Sequence, residues 1–150
     1  MRPVIFLRIA SVLTLIHAAL HTIGGVFGGA DPGVQQATVA VMRANTFPVM
    51  GVMRSYGDFY MGLGLVVSVF LTVEAVVFWQ LGSLAKIDAV RLRPVLATFV
   101  VGYLCAAAVS YWYFFAGPVI TEVLIALCLG LAIASARQVA VAGVDGRAVA

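Results

Sequence analysis

The sequence predicts an all-α fold, an integral membrane bundle of four transmembrane helices. Of the 150 residues, 63% are hydrophobic and only 10% are charged, and the mean hydropathy is +1.11. Water-soluble domains are about 45–50% apolar and about 25% charged, so a soluble enzyme, a nucleic-acid-binding protein and a disordered chain are excluded. The apolar runs also lack the alternation of a transmembrane strand. Since only helices and closed barrels span lipid, the spans are predicted to be helices.

Four stretches are long enough to span a membrane, because about 20 apolar residues cross about 30 Å of hydrocarbon. They are residues 4–27, 58–79, 94–115 and 118–135. The first is interrupted by charged and polar side chains and exceeds the h-region of about 7–15 residues, so we interpret it as a true span and not a signal peptide. We predict one transmembrane domain at 1–137 and a flexible cytoplasmic tail at 138–150.

The loop at 28–57 is the one long segment predicted to lie outside the hydrocarbon. Asp31 and Pro32 are typical of a helix start, as N-cap and first helical residue. Apolar residues then recur at helical spacing until Pro48, which is expected to break the helix. We predict one or two short helices lying at the outer interface and capping the bundle. The alternative is a loop packed on the helix ends for stability alone.

The distribution of Lys and Arg predicts the orientation of the spans. Seven of these residues lie in the N-terminus, the second loop and the tail, and the first loop carries only Arg43 and Arg54. By the positive-inside rule, both termini are expected in the cytoplasm. The excess of basic over acidic residues is therefore explained by the orientation of the spans and by contact with anionic lipid. No nucleic-acid partner is expected.

Several polar residues share one depth in the predicted outer half of the membrane. An ionisable group near the centre of a span costs at least about 2.5–3.5 kcal/mol, so each needs a reason. His17 and His21 share one face of the first helix, and Glu122 lies one turn inside the fourth. We interpret the layer as a polar, ligand-binding pocket; the alternative is hydrogen bonding across the bundle or to interfacial water. Its predicted members are His17, His21, Asp58, Tyr60, Ser110, Tyr111 and Glu122.

A second pair of charged residues is predicted nearer the cytoplasmic side. Arg8 points away from the histidine face and matches Glu74 in depth if the second helix ends at Trp79. An Arg8–Glu74 ion pair that ties the first two helices is therefore expected. In the alternative, Arg8 extends to the inner headgroups and Glu74 finds Tyr103 or a proton, or lines the interior.

Three functions suit such a pocket. The first is binding of a lipophilic small molecule, such as a quinone, a membrane lipid or an isoprenoid-like compound. The second is a metal-free acid–base enzyme, for example an isomerase of a lipophilic substrate, with His17, His21 and Glu122 as candidate catalytic groups. The third is a metal site, since two histidines one turn apart can begin one. We predict that the protein binds no metal and no cofactor. The sequence is compatible with a homodimer.

The chain as a whole resembles the small four-helix membrane proteins of bacteria that are DoxX-like in size and layout. The resemblance lies in the segments 6–10, 21–25 and 59–62. It implies the fold and a location in the bacterial inner membrane, and no catalytic role. The histidine and carboxylate layout is also similar to membrane sterol-isomerase-like bundles, without matching their order or spacing.

Overall fold

A computed structural model describes the backbone of residues 3–148 and the side chains of residues 3–136. It confirms the all-α fold class, because four helices are long and apolar enough to cross a membrane. These four segments are Pro3–Val26, Tyr56–Asp88, Arg93–Tyr113 and Ala116–Ala136. The predicted flexible tail, 138–150, lies outside the described side chains.

The elements follow one another in a simple order. Helix α1 covers Pro3–Leu20 and continues into a π-helical segment at His21–Val26. The next segment holds helix α2 and a β-hairpin, and the three remaining helices follow it. Their bounds are α2 Val34–Ala44, β1 Thr46–Val49, β2 Val52–Ser55, α3 Tyr56–Asp88, α4 Arg93–Tyr113 and α5 Ala116–Ala148.

Helix α3 is longer than the apolar stretch that predicts it. The sequence predicts an end near Trp79, but the helix continues to Asp88 and is 33 residues long. A helix can continue beyond its apolar part if the following residues have adequate helix propensity. No proline lies between Trp79 and Asp88 to interrupt it. The Asp88 carboxylate then accepts a hydrogen bond from the Arg91 backbone N–H, which closes the turn after the helix.

Packing groups the chain into two compact units. Unit 1 comprises 1–17 and 72–150, and unit 2 comprises 18–71. The core of unit 1 is built from helix faces on which buried residues recur every three or four positions. Its buried members are Leu7, Ala10, Phe78, Leu81, Ala85, Leu96, Tyr103, Ile125, Ala126, Leu129 and Ala132.

Unit 2 contains the predicted extramembrane helix, but with a different start. Helix α2 begins at Val34 and its N-cap is Gly33, whose φ is +99°. The predicted start at Asp31 and Pro32 is therefore two residues too early, because the left-handed glycine interrupts the helical backbone. No residue of α2 is buried.

The second half of this segment is a β-hairpin, so the prediction of a further short helix is wrong there. Strands β1 and β2 pair antiparallel, with Val49 opposite Val52. Met50 and Gly51 form the connection with φ values of +48° and +88°. Positive φ at both central residues is the signature of a type I′ turn, which matches the twist of a hairpin.

Replacing Met50 by asparagine should stabilise the hairpin. A non-glycine side chain in the left-handed region costs about 1–2 kcal/mol, and asparagine tolerates it best. Amide exchange at Val49 and Val52 should therefore slow down in Met50→Asn. The matched control is Met53→Asn, an exposed methionine of the same hairpin whose φ is not positive. Equal exchange rates in both variants would contradict this account.

Candidate functional site

The strongest candidate site in unit 1 is a buried carboxyl group beside the turn that joins α4 and α5. Glu122 has only 8% of its surface exposed and Ser110 only 5%. The Ser110 hydroxyl donates to Glu122 Oε1 at 3.1 Å. Glu122 Oε2 is buried and has no hydrogen-bond partner among the described residues. The carboxyl group therefore has one oxygen fixed and one available.

The sequence positions this pair by helical periodicity. Ser110 extends the buried stripe of α4 that includes Tyr103 and Ala107, and Glu122 begins the buried stripe of α5. Because only two residues separate the helices, their facing stripes meet close to the turn. The contact brings together Ser110 and Glu122, two residues that the sequence analysis assigns to one predicted pocket.

A second polar cluster lies further from that turn. The Tyr103 hydroxyl donates to Glu74 Oε2 at 2.6 Å, and the Thr14 hydroxyl lies 3.4 Å from the Tyr103 hydroxyl. Seven residues separate Tyr103 from Ser110, which is about 10 Å along a helix. The cluster joins α1, α3 and α4, and on α4 it lies about two turns from the Ser110–Glu122 pair.

Removal of the Tyr103 hydroxyl should destabilise unit 1. In Tyr103→Phe the half-buried Glu74 carboxyl loses a short hydrogen bond, which costs about 1 kcal/mol. Thermal unfolding in detergent should therefore occur at a lower temperature. Tyr103→Phe should lower the unfolding temperature less in a Glu74→Leu background, because no carboxyl group remains there to accept the hydrogen bond. Additive effects of the two substitutions would contradict the coupling.

The predicted ion pair between Arg8 and Glu74 is wrong. Arg8 Nη2 donates to the Ser83 hydroxyl at 2.9 Å, and its guanidinium lies 3.5 Å from the centre of the Trp79 ring. Glu74 bonds Tyr103, as the alternative interpretation proposed. The ion pair fails because α3 does not end at Trp79, so the depth assigned to Glu74 was too close to the helix end.

The absence of a side chain at Gly82 lets Arg8 approach α3. A Cβ atom there would lie 3.3 Å from Arg8 Nε and 3.5 Å from Leu7 Cβ. The guanidinium can therefore lie over the indole ring of Trp79, which attracts a cation through its negative face. The contact between Arg8 and Trp79 thus helps to hold α1 against α3 in unit 1.

The other predicted ligands of unit 1 differ in exposure. His17 is half-buried. Tyr111 is 71% exposed, and it packs edge-on against Trp112 with 5.6 Å between ring centres. This exposure is typical of the aromatic residues found at membrane–water interfaces.

The remaining predicted ligands belong to unit 2. His21 Nε2 donates to the Gly64 carbonyl at 3.1 Å, and a carbonyl can only accept. The proton on Nε2 leaves Nδ1 as the acceptor in the neutral ring. His21 also begins the π-helical segment, a form that recurs at functional sites. Tyr60 is 66% exposed.

Asp58 has a structural role that the sequence analysis missed. Its Oδ2 accepts the Ser55 N–H at 2.8 Å, and the Ser55 hydroxyl accepts the Asp58 N–H at 3.0 Å. This reciprocal pair is a capping box at the start of α3. The pattern Ser55-x-x-Asp58 before an apolar run was a readable signal for it.

Comparison with known proteins adds nothing to this geometry. No family model, curated protein or solved structure matches the chain. Within residues 3–136, no three His, Cys, Asp or Glu side chains are grouped so as to hold a metal ion. The sequence-based pocket combines residues of both units, and its convergence remains a prediction.

Proposed function

We propose that this chain is a membrane protein that binds a lipophilic small molecule in a polar pocket around Glu122. The ligand class is a quinone, a membrane lipid or an isoprenoid-like compound with one polar end. The observation that carries the proposal is the buried Glu122 Oε2 atom without a hydrogen-bond partner among the described residues. The Ser110 hydroxyl holds the other oxygen and so orients the carboxyl group.

The unpartnered oxygen favours a ligand over simple packing. A buried polar atom without a partner costs about 1–3 kcal/mol, and the cost rises where no water can reach it. A ligand hydroxyl can donate to this oxygen, or a ring carbonyl can accept from the protonated acid. Binding would therefore offset the free-energy cost of burying this oxygen.

The pocket is proposed to open towards the outer leaflet of a bacterial inner membrane. The excess of Lys and Arg in the termini and second loop supports cytoplasmic termini, which puts the α4–α5 turn outside. Glu122 lies six residues beyond the start of α5, about 9 Å from that end of the helix. A ligand with an apolar tail could then enter from the lipid and place its polar end at this depth.

Mass spectrometry of co-purified lipophiles tests the proposal. We expect Glu122→Leu to retain about tenfold less of the ligand than wild type, which corresponds to the loss of one buried hydrogen bond to a charged or acidic group. The matched control is Glu74→Leu, which makes the same change at a carboxyl group that already has a partner. Both proteins should unfold cooperatively, to show that they are folded.

The outcomes separate the candidate functions. A bound compound that is lost only in Glu122→Leu supports binding. Equal retention in wild type and Glu122→Leu contradicts the proposal. Conversion of an unsaturated lipophile by wild type, abolished in Glu122→Gln, would instead establish the acid–base enzyme that shares this carboxyl group.

A further inference from the structure

A surface groove in unit 2 has a charged mouth and an apolar floor. Its volume is about 270 Å³. It lies beside the end of β2 and the first three turns of α3, so every wall belongs to one compact unit. The lining residues are Arg54, Asp58, Phe59, Gly62, Leu63 and Val66.

The groove extends from the headgroup level towards the hydrocarbon. Helix α3 begins a membrane span at Tyr56. Tyr56 and Tyr60 are both exposed near this end, as aromatic residues are at membrane–water interfaces. Val66 lies eight residues beyond Asp58, about 12 Å deeper along the helix. The charged mouth is thus at the depth of lipid headgroups and the floor at the depth of acyl chains.

The mouth presents one positive and one negative side chain, each with a hydrogen bond to nearby backbone. Arg54 Nη1 donates to the Met53 carbonyl at 2.9 Å, which leaves other N–H groups of its five for a ligand. Asp58 is held by the capping box with Ser55, and one N–H uses only part of the acceptor capacity of a carboxylate. The pair is complementary to a headgroup that carries both charges.

The floor is open because residue 62 is a glycine. A Cβ atom at Gly62 would meet nothing within 4 Å. Leu63 and Val66 are 66% and 50% exposed, so an apolar chain can lie along this face of α3. A larger residue at position 62 would fit the protein but occupy the groove.

We propose that this groove binds one zwitterionic phospholipid whose headgroup ends in a primary ammonium. The phosphate contacts the Arg54 guanidinium, the ammonium donates to the Asp58 carboxylate, and an acyl chain lies over Gly62, Leu63 and Val66. An anionic lipid would place uncompensated negative charge beside Asp58. A quaternary ammonium has no N–H to donate. All the residues of this groove belong to unit 2, and the proposal does not rest on the function proposed for Glu122.

Native mass spectrometry of the full chain with three lipids tests this assignment. Phosphatidylethanolamine, phosphatidylglycerol and phosphatidylcholine with identical acyl chains are added in equal amounts. We expect wild type to retain the ethanolamine lipid about threefold over each of the others, the selectivity that one exposed ion pair supports. Asp58→Asn keeps an oxygen that can cap Ser55 and should lose this preference.

A second variant tests the floor of the groove independently of charge. Gly62→Leu should lose the bound lipid, and Gly102→Leu, an equally open glycine on α4, should keep it. A preference for phosphatidylglycerol, equal retention of the three lipids by wild type, or retention by Gly62→Leu would overturn the proposal. Glu122→Leu should leave the lipid preference unchanged, so this site and the proposed function can fail separately.

Discussion

Phe78→Ala should be the most destabilising substitution in the core of unit 1. Phe78 is completely buried and packs edge-on against Phe99, with 4.9 Å between ring centres. In water-soluble proteins such a truncation costs about 3–5 kcal/mol, part of it for transfer to water and part for the cavity. Lipid tails are as apolar as a core, so the transfer part falls and about 2–3 kcal/mol remains for lost packing. Unfolding in bicelles should measure this loss.

The matched control is Phe70→Ala in the same helix. Phe70 is 63% exposed, so its ring has few protein contacts to lose. We expect a change within about 0.5 kcal/mol, as at other surface positions. Equal destabilisation by both substitutions would show that lipid contacts, and not the packing of unit 1, dominate the stability of α3.

Gly64→Leu should disrupt the helix contact inside unit 2. A Cβ atom at this position would lie only 3.0 Å from Val26 Cγ2, and the Gly64 carbonyl accepts the hydrogen bond from His21. A leucine would force the π-helical segment away from α3 and lengthen that hydrogen bond. Overpacking of this kind costs about 1–3 kcal/mol, and the weakened hydrogen bond of the half-buried His21 imidazole adds to this cost.

The readout for this variant should be local as well as global. The Thr22 hydroxyl donates to the Ser68 hydroxyl at 2.8 Å beside the same contact. Amide hydrogen exchange at Thr22 and its neighbours should therefore become faster in Gly64→Leu. Gly102→Leu is the control, because a Cβ there meets nothing within 4 Å. If Gly64→Leu matches that control in stability and exchange, the close approach at Gly64 is not needed for packing.

Hydropathy was sufficient to predict the spans, because the cost of burying polar backbone in lipid leaves few alternatives to a helix. It could not give the end of α3, since a helix may continue after its apolar residues stop. That error moved Glu74 too close to the helix end and led to the wrong partner for Arg8. The true partners, Trp79 and Ser83, lie one to three turns further along α3.

The hairpin was missed because its turn has weak sequence signals. A type I′ turn usually carries Asn or Asp before its glycine, and here the residue is Met50. Tertiary packing and the pairing of short strands override this local turn preference. A single sequence does not reveal those longer-range contacts.

Part of the candidate site followed from depth alone. Ser110 and Glu122 meet because two helices joined by a short turn keep equal distances from it. Depth did not show which oxygen of Glu122 is satisfied, nor that Asp58 is used as a cap. Those outcomes depend on side-chain hydrogen bonds, for which only Ser55-x-x-Asp58 left a sequence pattern.

The 33 residues of α3 correspond to about 50 Å of helix, against a hydrocarbon thickness of about 30 Å. Membrane helices tilt by at most about 40°, which still leaves a height of about 38 Å, so tilting alone cannot hide the surplus. At least one end of α3 must therefore emerge from the hydrocarbon. A thinner or thicker bilayer would then change how much of α3 emerges, and the helix need not stretch or kink to follow it.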